Sequence, residues 1–334
     1  MIKYLKLFLK IGLPLSFGIY LTWYFFNQMS EEAMESFRKA LREANYWIVS
    51  LSLLLGLVSY WSRAERMKYT LEPMGFKSNA WNRYHSLMIG YIVNLTIPRA
   101  GEASRALMLQ RSDNIPFSKS FGTIITERIV DVFILGIITF LTIAFSYDKF
   151  WELYNAMLLQ FGVEANSSTS SFILPLVISI MVILLATVLI VKKIRIKLVQ
   201  FAQSLTEGLM SIFKLEHPWY YMGHSVLIWT CYILMFALPY YALLETKVVP
   251  FEGIMMAFIA GSIGISFTNG GIGTYPLLVG FVTAHYLSND DPDHSLAIAN
   301  ALGMLIWASQ AIVMVVLGLV SLYFLPKTYS TDER

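Results

Sequence analysis

The chain has 334 residues, 56% of them hydrophobic and only 14% charged, with a mean hydropathy of +0.58. That balance excludes a soluble globular domain and reads as an all-α polytopic membrane protein. The formal charge of +3 says little by itself, and the lone Cys231, inside an apolar run, excludes an internal disulfide or a cysteine metal cluster.

Residues 1–10 are basic and precede an apolar run with no small-residue cleavage site, which reads as an uncleaved first span over 11–26. An amphipathic, acid-leaning segment follows at 31–43, and a second span at 46–61. After it come Arg63, Arg66, Lys68, Lys77 and Arg83. Residues 84–97 are apolar but number roughly 14, short of the about 20 that a crossing needs. They run into Asn94-Leu-Thr-Ile-Pro98-Arg99-Ala-Gly101-Glu102-Ala-Ser-Arg105. Pro98 has no backbone donor and drives Ile97 away from the helical region, Gly101 allows a tight turn, and a second helical stretch follows at 103–110. The reading is a broken helix that enters the membrane and leaves on the same side; the plainer alternative is a membrane-surface loop with solvated charges.

A third span covers 117–145, followed by a polar loop over 148–171 that holds Asp148, Glu152 and Glu164. A fourth covers 172–191; the cluster Lys192, Lys193, Arg195 and Lys197 then opens a surface helix to 214. A fifth covers 219–244. An apolar segment at 251–267 leads to Thr268-Asn269-Gly270-Gly271-Ile272-Gly273-Thr274-Tyr275-Pro276, then a second apolar stretch at 277–286 and an acidic loop at 289–293. The sixth span covers 296–324. Placing the cationic segments inside gives six full spans, both termini cytoplasmic, and two re-entrant hairpins entering from opposite sides. Residues 1–146 and 172–324 then each read span, span, hairpin, span in opposite orientation, an inverted repeat within one domain over 1–334.

In the third span Glu127 and Asp131 share one helix face, with Arg128 beside them, about 15–20 Å along the helix from its start. Charges so deep normally face a bundle interior or a water cavity. They read as a polar site facing Arg99, Glu102 and Arg105, or as a salt-bridge network that fixes packing. Arginines fork onto phosphate and carboxylates hold ammonium, so an anionic or zwitterionic headgroup fits. At the second break Asn269, Gly270, Gly271, Gly273, Thr274 and Tyr275 let backbone approach a ligand, or only a neighbouring helix. Gly261 and Gly264 read as packing residues. The five histidines show no H-x-x-x-H pair, so no metal and no cofactor is expected.

Asn94…Pro98-Arg99-Ala-Gly101-Glu102-x-x-Arg105, Glu127-Arg128-x-x-Asp131 and Gly270-Gly-x-Gly273, in that order, resemble the lysylphosphatidylglycerol synthase transmembrane-region family, also called flippase-like domain proteins. The resemblance spans nearly the whole chain. It implies a bacterial or archaeal cell-membrane protein related to the lipid-moving half of aminoacyl-phosphatidylglycerol enzymes, without the aminoacyl-transferase half. The family's second hairpin often reads Pro-Gly-Gly-x-Gly-x-x-Glu; here Asn269 and Pro276 replace the proline and the glutamate. The expected function is a lipid translocase passing a headgroup through a polar cavity, and not an enzyme. The substrate-binding set is Asn94, Arg99, Glu102, Arg105, Glu127, Arg128, Asp131 and the second-break residues. Membrane lipids are the expected partners, nucleic acid is not, and self-association stays open. A lipid-modifying transferase and a structural or regulatory subunit are the alternatives.

Overall fold

The computed structural model describes residues 12, 15–24, 26–27, 29–97, 100–160, 196, 214–287 and 291–325. The expected fourth span, all four cations of the basic cluster after it, Glu164 of the polar loop, the basic N-terminus, Pro98 and Arg99 of the first break, and Asn289 and Asp290 of the acidic loop lie outside them. Among the described residues every regular element is helical. They fall into two compact units, Met1–Arg128 with Leu215–Arg334, and Ile129–Lys214.

In the first unit α1 (15–24) precedes α2 (Glu31–Glu43), whose first turn is capped by Ser30 Oγ accepting from Ala33 N at 3.1 Å. The expected amphipathic pattern has a structural use: Ala33 and Phe37 are buried against Ala297 and Ala301. Helix α3 (Tyr46–Arg66) is capped by Asn45 and continues into a short helical turn at Lys68–Leu71. It outruns its expected end at residue 61 because Arg63 and Arg66 find partners inside the bundle rather than at a surface.

The first break is present. Helix α4 (Ala80–Thr96) and helix α5 (Gly101–Asp113) pack antiparallel. At one end Asp113 accepts from Asn82 at 2.8 Å and Ser78 at 2.7 Å. At the other, Asn94 Oδ1 accepts from Gly101 N at 2.8 Å. A Cβ on Gly90 would meet the Gly101 carbonyl at 2.9 Å, so the two backbones touch here. Asn114, in the left-handed region (φ 55°), ends α5. Helix α6 (Phe117–Phe145) then begins in the first unit and ends in the second, which also holds α7 (Tyr147–Gln160).

Helix α8 (Pro218–Ala237) lies along α3 and tightens into a 3₁₀ turn at Leu238–Tyr241, short of the expected 244, where Pro239 removes a backbone donor. Helices α9 (Phe251–Phe267) and α10 (Thr274–His285) form the second antiparallel hairpin. Gly261 and Gly264 let α9 lie against Tyr275 and Thr274, as expected of packing glycines. Gly270, Gly271 and Gly273 turn the tip at φ 60°, 79° and 75°, values that only glycine adopts without strain. Helix α11 (Pro292–Phe324) begins four residues before the expected start, capped by Asp291, whose carboxylate accepts from Asp293 N and His294 N.

Four described stretches are long and apolar enough to cross a membrane: Tyr46–Met74, Phe117–Phe145, Pro218–Tyr241 and Pro292–Phe324. They coincide with the second, third, fifth and sixth expected spans. The chain is an all-α polytopic membrane protein carrying two broken helical hairpins.

Candidate functional site

The tips of the hairpins meet. Asn269 Nδ2 donates to the Thr96 carbonyl at 3.3 Å, and a Cβ on Gly270 would strike the Leu95 side chain. Trp307 Nε1 of α11 donates to the Gly270 carbonyl at 2.8 Å, so the second tip is held from behind as well. These bonds occupy backbone that a break leaves without helical partners, which a membrane interior requires. Thr274 Oγ1 serves the same end: it donates to the Gly264 carbonyl at 2.7 Å and lies 2.7 Å from Thr268 Oγ1.

The charged residues divide into two groups at consecutive positions of α6. Glu127 points into protein. Its Oε2 accepts from Arg105 Nη1 of α5 at 2.8 Å and lies 3.9 Å from Arg66 Nη2 of α3. Arg105 also reaches Met67 Sδ at 3.0 Å, while Arg66 donates to Ser225 Oγ of α8 at 3.1 Å and lies over the Tyr221 ring at 5.3 Å. The Arg105 and Glu127 side chains are 4% and 1% exposed. This group bolts α3, α5, α6 and α8 together, and it is sealed from ligand.

Arg128 points elsewhere. Its Nη2 pairs with Glu102 Oε1 at 2.7 Å, with side chains 40% and 20% exposed. With Arg63 it lines a cavity of about 280 Å3. Arg63 Nη1 donates to Tyr232 OH there at 3.0 Å. The wall is otherwise aromatic and weakly polar: Tyr60, Tyr91, Trp229, Phe236, Phe258 and Tyr275, with Ser262, Gln310 and the side chains of Met235, Ile265 and Met314. Tyr91 comes from the first hairpin, and Phe258, Ser262, Ile265 and Tyr275 from the second. Among the described residues that line it, none is acidic. Two guanidiniums facing an aromatic chamber can hold a phosphate or carboxylate by forked, charge-assisted hydrogen bonds.

The single polar site expected from the sequence is therefore divided. Arg128 and Tyr275 line the cavity, and Glu102 braces Arg128. Arg105 and Glu127 are locked behind it. Asn94 closes its own hairpin, and Asn269, Gly270, Gly271, Gly273 and Thr274 build the tip-to-tip contact. Asp131 is buried and belongs to the second unit; Arg99 lies outside the described residues. Sequence reasoning missed Arg63, Tyr91, Trp229, Tyr232, Ser262 and Gln310. One signal was available for Arg63 and Arg66: they continue the buried face of small residues Ser52, Gly56 and Ser59 at helical spacing.

The family described as "Lysylphosphatidylglycerol synthase TM region" matches residues 11–291. The UPF0104 membrane protein MJ1595 of Methanocaldococcus jannaschii is 26% identical over 120 residues, 35% of this chain and 36% of that protein. The glycosyltransferase AglD of Haloferax volcanii is 29% identical over 93 residues, 28% of this chain and 15% of that protein. The matches thus span well under half of either relative. No solved structure matches the chain. With more than four-fifths of its length matched by the family, this chain belongs to the lysylphosphatidylglycerol synthase TM region family.

Proposed function

We propose that the protein moves a phosphate-bearing lipid between the two leaflets of a cell membrane, the headgroup passing through the cavity while the acyl chains stay in the bilayer. The observation that carries this reading is the cavity itself, which joins Arg63 and Arg128 to side chains from both broken hairpins. Broken helices that meet inside a bundle are a recurrent way to build a polar site at membrane depth. The distribution of Lys and Arg supports cytoplasmic termini, with the α4–α5 hairpin entering from the cytoplasmic side and the α9–α10 hairpin from outside.

In this scheme Arg63 and Arg128 take the phosphate, and Glu102 holds Arg128 in place between passages. The Arg105–Glu127–Arg66 group keeps α5 and α6 in register so that Arg128 faces the cavity. The test is reconstitution in liposomes with an acyl-labelled phosphatidylglycerol. The protein should speed exchange between leaflets, and Arg128→Ala and Arg63→Ala should each slow it at least about ten-fold, the loss of one charge-assisted contact. Rates equal to protein-free liposomes would end the proposal.

The name of the AglD relative favours a second reading, a membrane-embedded transferase. Mass spectrometry of the lipids recovered from the same liposomes, supplied with an activated sugar donor, separates the two. The translocase returns its lipid unchanged.

A further inference from the structure

We infer that the chain carries a second site, independent of the translocase reading: a nucleophilic serine that cleaves an acyl ester of a membrane lipid. It is built from Ser36 of α2, His294 of α11 and Glu245 of the 3₁₀ turn between α8 and α9. His294 Nε2 lies 2.8 Å from Glu245 Oε2, and His294 Nδ1 lies 3.0 Å from Ser36 Oγ. An ionised carboxylate only accepts, so Glu245 claims the proton on Nε2. The neutral ring then presents its lone pair at Nδ1, and the Ser36 hydroxyl donates to it. A hydroxyl on a base that a third group orients is the arrangement that activates a serine. The two ring nitrogens are exchanged relative to the usual triad, with the same proton logic.

Packing alone does not call for these contacts. Ala33 and Phe37 already fix α2 on Ala297 and Ala301 of α11. Other helical serines of the chain donate to a carbonyl one turn back: Ser50 to Tyr46, Ser104 to Ala100, Ser262 to Phe258. The Ser36 hydroxyl meets His294 instead. Two more serines face a histidine, Ser62 with His224 at 2.8 Å and Ser321 with His85 at 2.9 Å. Among the described residues, neither of those rings has a carboxylate on its second nitrogen.

Ser36, His294 and Glu245 line a cavity of about 390 Å3 with Lys39, Glu43 and the apolar Ala40, Leu243, Leu244 and Ile298. Lys39 is three residues from Ser36 on the same helix face, and its ammonium can take the charge that develops on an attacked carbonyl oxygen. The apolar wall suits an acyl chain. Helix α11 has 33 residues, about 50 Å, against a hydrocarbon core of about 30 Å. Its first turn, with His294, therefore stands in the interfacial layer, where the ester bonds of a glycerolipid lie. There Ser36 Oγ adds to the ester carbonyl as its proton passes to His294 Nδ1. The ester C–O bond breaks, and Nδ1 returns that proton to the leaving glycerol oxygen. Water, giving its proton to the same nitrogen, then cleaves the acyl-serine to a free fatty acid, and Ser36 regains its proton. Glu245 acts through His294 as a positioning residue.

The test is labelling of the purified full-length protein in nanodiscs with an alkyl fluorophosphonate, which loses fluoride to an activated serine. Mass spectrometry should place the adduct on Ser36. Ser36→Ala and His294→Ala should each slow labelling at least about ten-fold without lowering the melting temperature, and Ser62→Ala should leave it unchanged. Glu245→Gln should slow it likewise, and Glu245→Asp should restore part of the loss; equal rates in the two remove Glu245 from the site. No adduct, an adduct elsewhere, or parental labelling in Ser36→Ala overturns the inference, and the adduct's position on the parent decides if the variants do not fold. Liposomes of acyl-labelled phosphatidylglycerol should release labelled fatty acid, and labelling of Ser36 without that release overturns the lipid ester as substrate. The lysolipid keeps its headgroup, so its mass sets it apart from a glycosylated lipid. Leaflet exchange in Ser36→Ala should match the parent, and absence of exchange with Ser36 still labelled removes the translocase reading alone.

Discussion

Two ion pairs lie side by side on α6, built from the same chemistry at nearly the same distance: Arg105–Glu127 at 2.8 Å and Arg128–Glu102 at 2.7 Å. One is closed on every side by α3, α5 and α8. The other borders an open chamber. Desolvation separates their meanings. A buried pair has given up water on both partners, so it adds little net stability while intact and exposes the fold to a large loss when one partner goes. A pair still in reach of water costs little to make or break, and can therefore be exchanged for a ligand. A one-residue step along a helix, about 100° of rotation, is enough to carry a side chain from a sealed ion pair to one that borders the chamber.

The sharpest way to break this distinction is at Glu127. Glu127→Ala strands Arg105 in the interior, and the protein should lose about 3–5 kcal/mol of stability, seen as a large drop in melting temperature in detergent. Replacing both partners, Arg105→Met with Glu127→Leu, should recover part of that loss, because Arg105 is then no longer stranded while buried Arg66 still loses the carboxylate 3.9 Å away. A Glu127→Ala protein that melts like the parent would mean the group is not sealed. Loss of lipid movement in the single mutant, by contrast, says nothing about a role in transport, since the helices that present Arg128 are themselves disturbed.

Arg128→Ala should do the reverse. The exposed pair contributes at most about 1 kcal/mol, so the melting temperature should shift by no more than a few degrees, while lipid exchange falls at least about ten-fold. A large stability loss with transport spared would interchange the two groups and defeat the comparison.

Much of the frame behind these effects was legible in the sequence. Pro98 and Gly101 after too short an apolar segment announced the first break, and the Gly270-Gly271-Ile-Gly273 run announced the second. The spans at 46, 117, 219 and 296 followed from length and hydropathy, with ends misjudged where a proline or an N-cap decided them. What could not be read was the division of the charges. Counting Arg63 and Arg66 toward orientation hid the fact that both turn inward, because their partners Tyr232 and Ser225 lie 169 and 159 residues away. Nor did the motif containing Glu127 and Arg128 reveal that its two members serve different neighbours. Asn94 and Asn269 looked like ligand groups for a sound reason, being polar side chains at a membrane break. The fold spends both on closing backbone that the breaks leave open.

The smallest expected effect is also the most specific to the open pair. Glu102→Gln keeps the size and hydrogen-bonding shape of the side chain but removes the charge that competes with a phosphate for Arg128. If Arg128 alternates between Glu102 and lipid, the substitution should tighten binding of an anionic lipid by up to about five-fold, the worth of an exposed ion pair. The gain should shrink as salt is raised, because the pair is in reach of screening ions. Exchange between leaflets should at the same time slow or stay level, since a headgroup held more tightly leaves less readily. Titrating phosphatidylglycerol into nanodiscs of the parent and of Glu102→Gln at low and high salt reads all of this at once. Weaker binding in the mutant would mean that Glu102 helps to hold the headgroup rather than yielding its place to it.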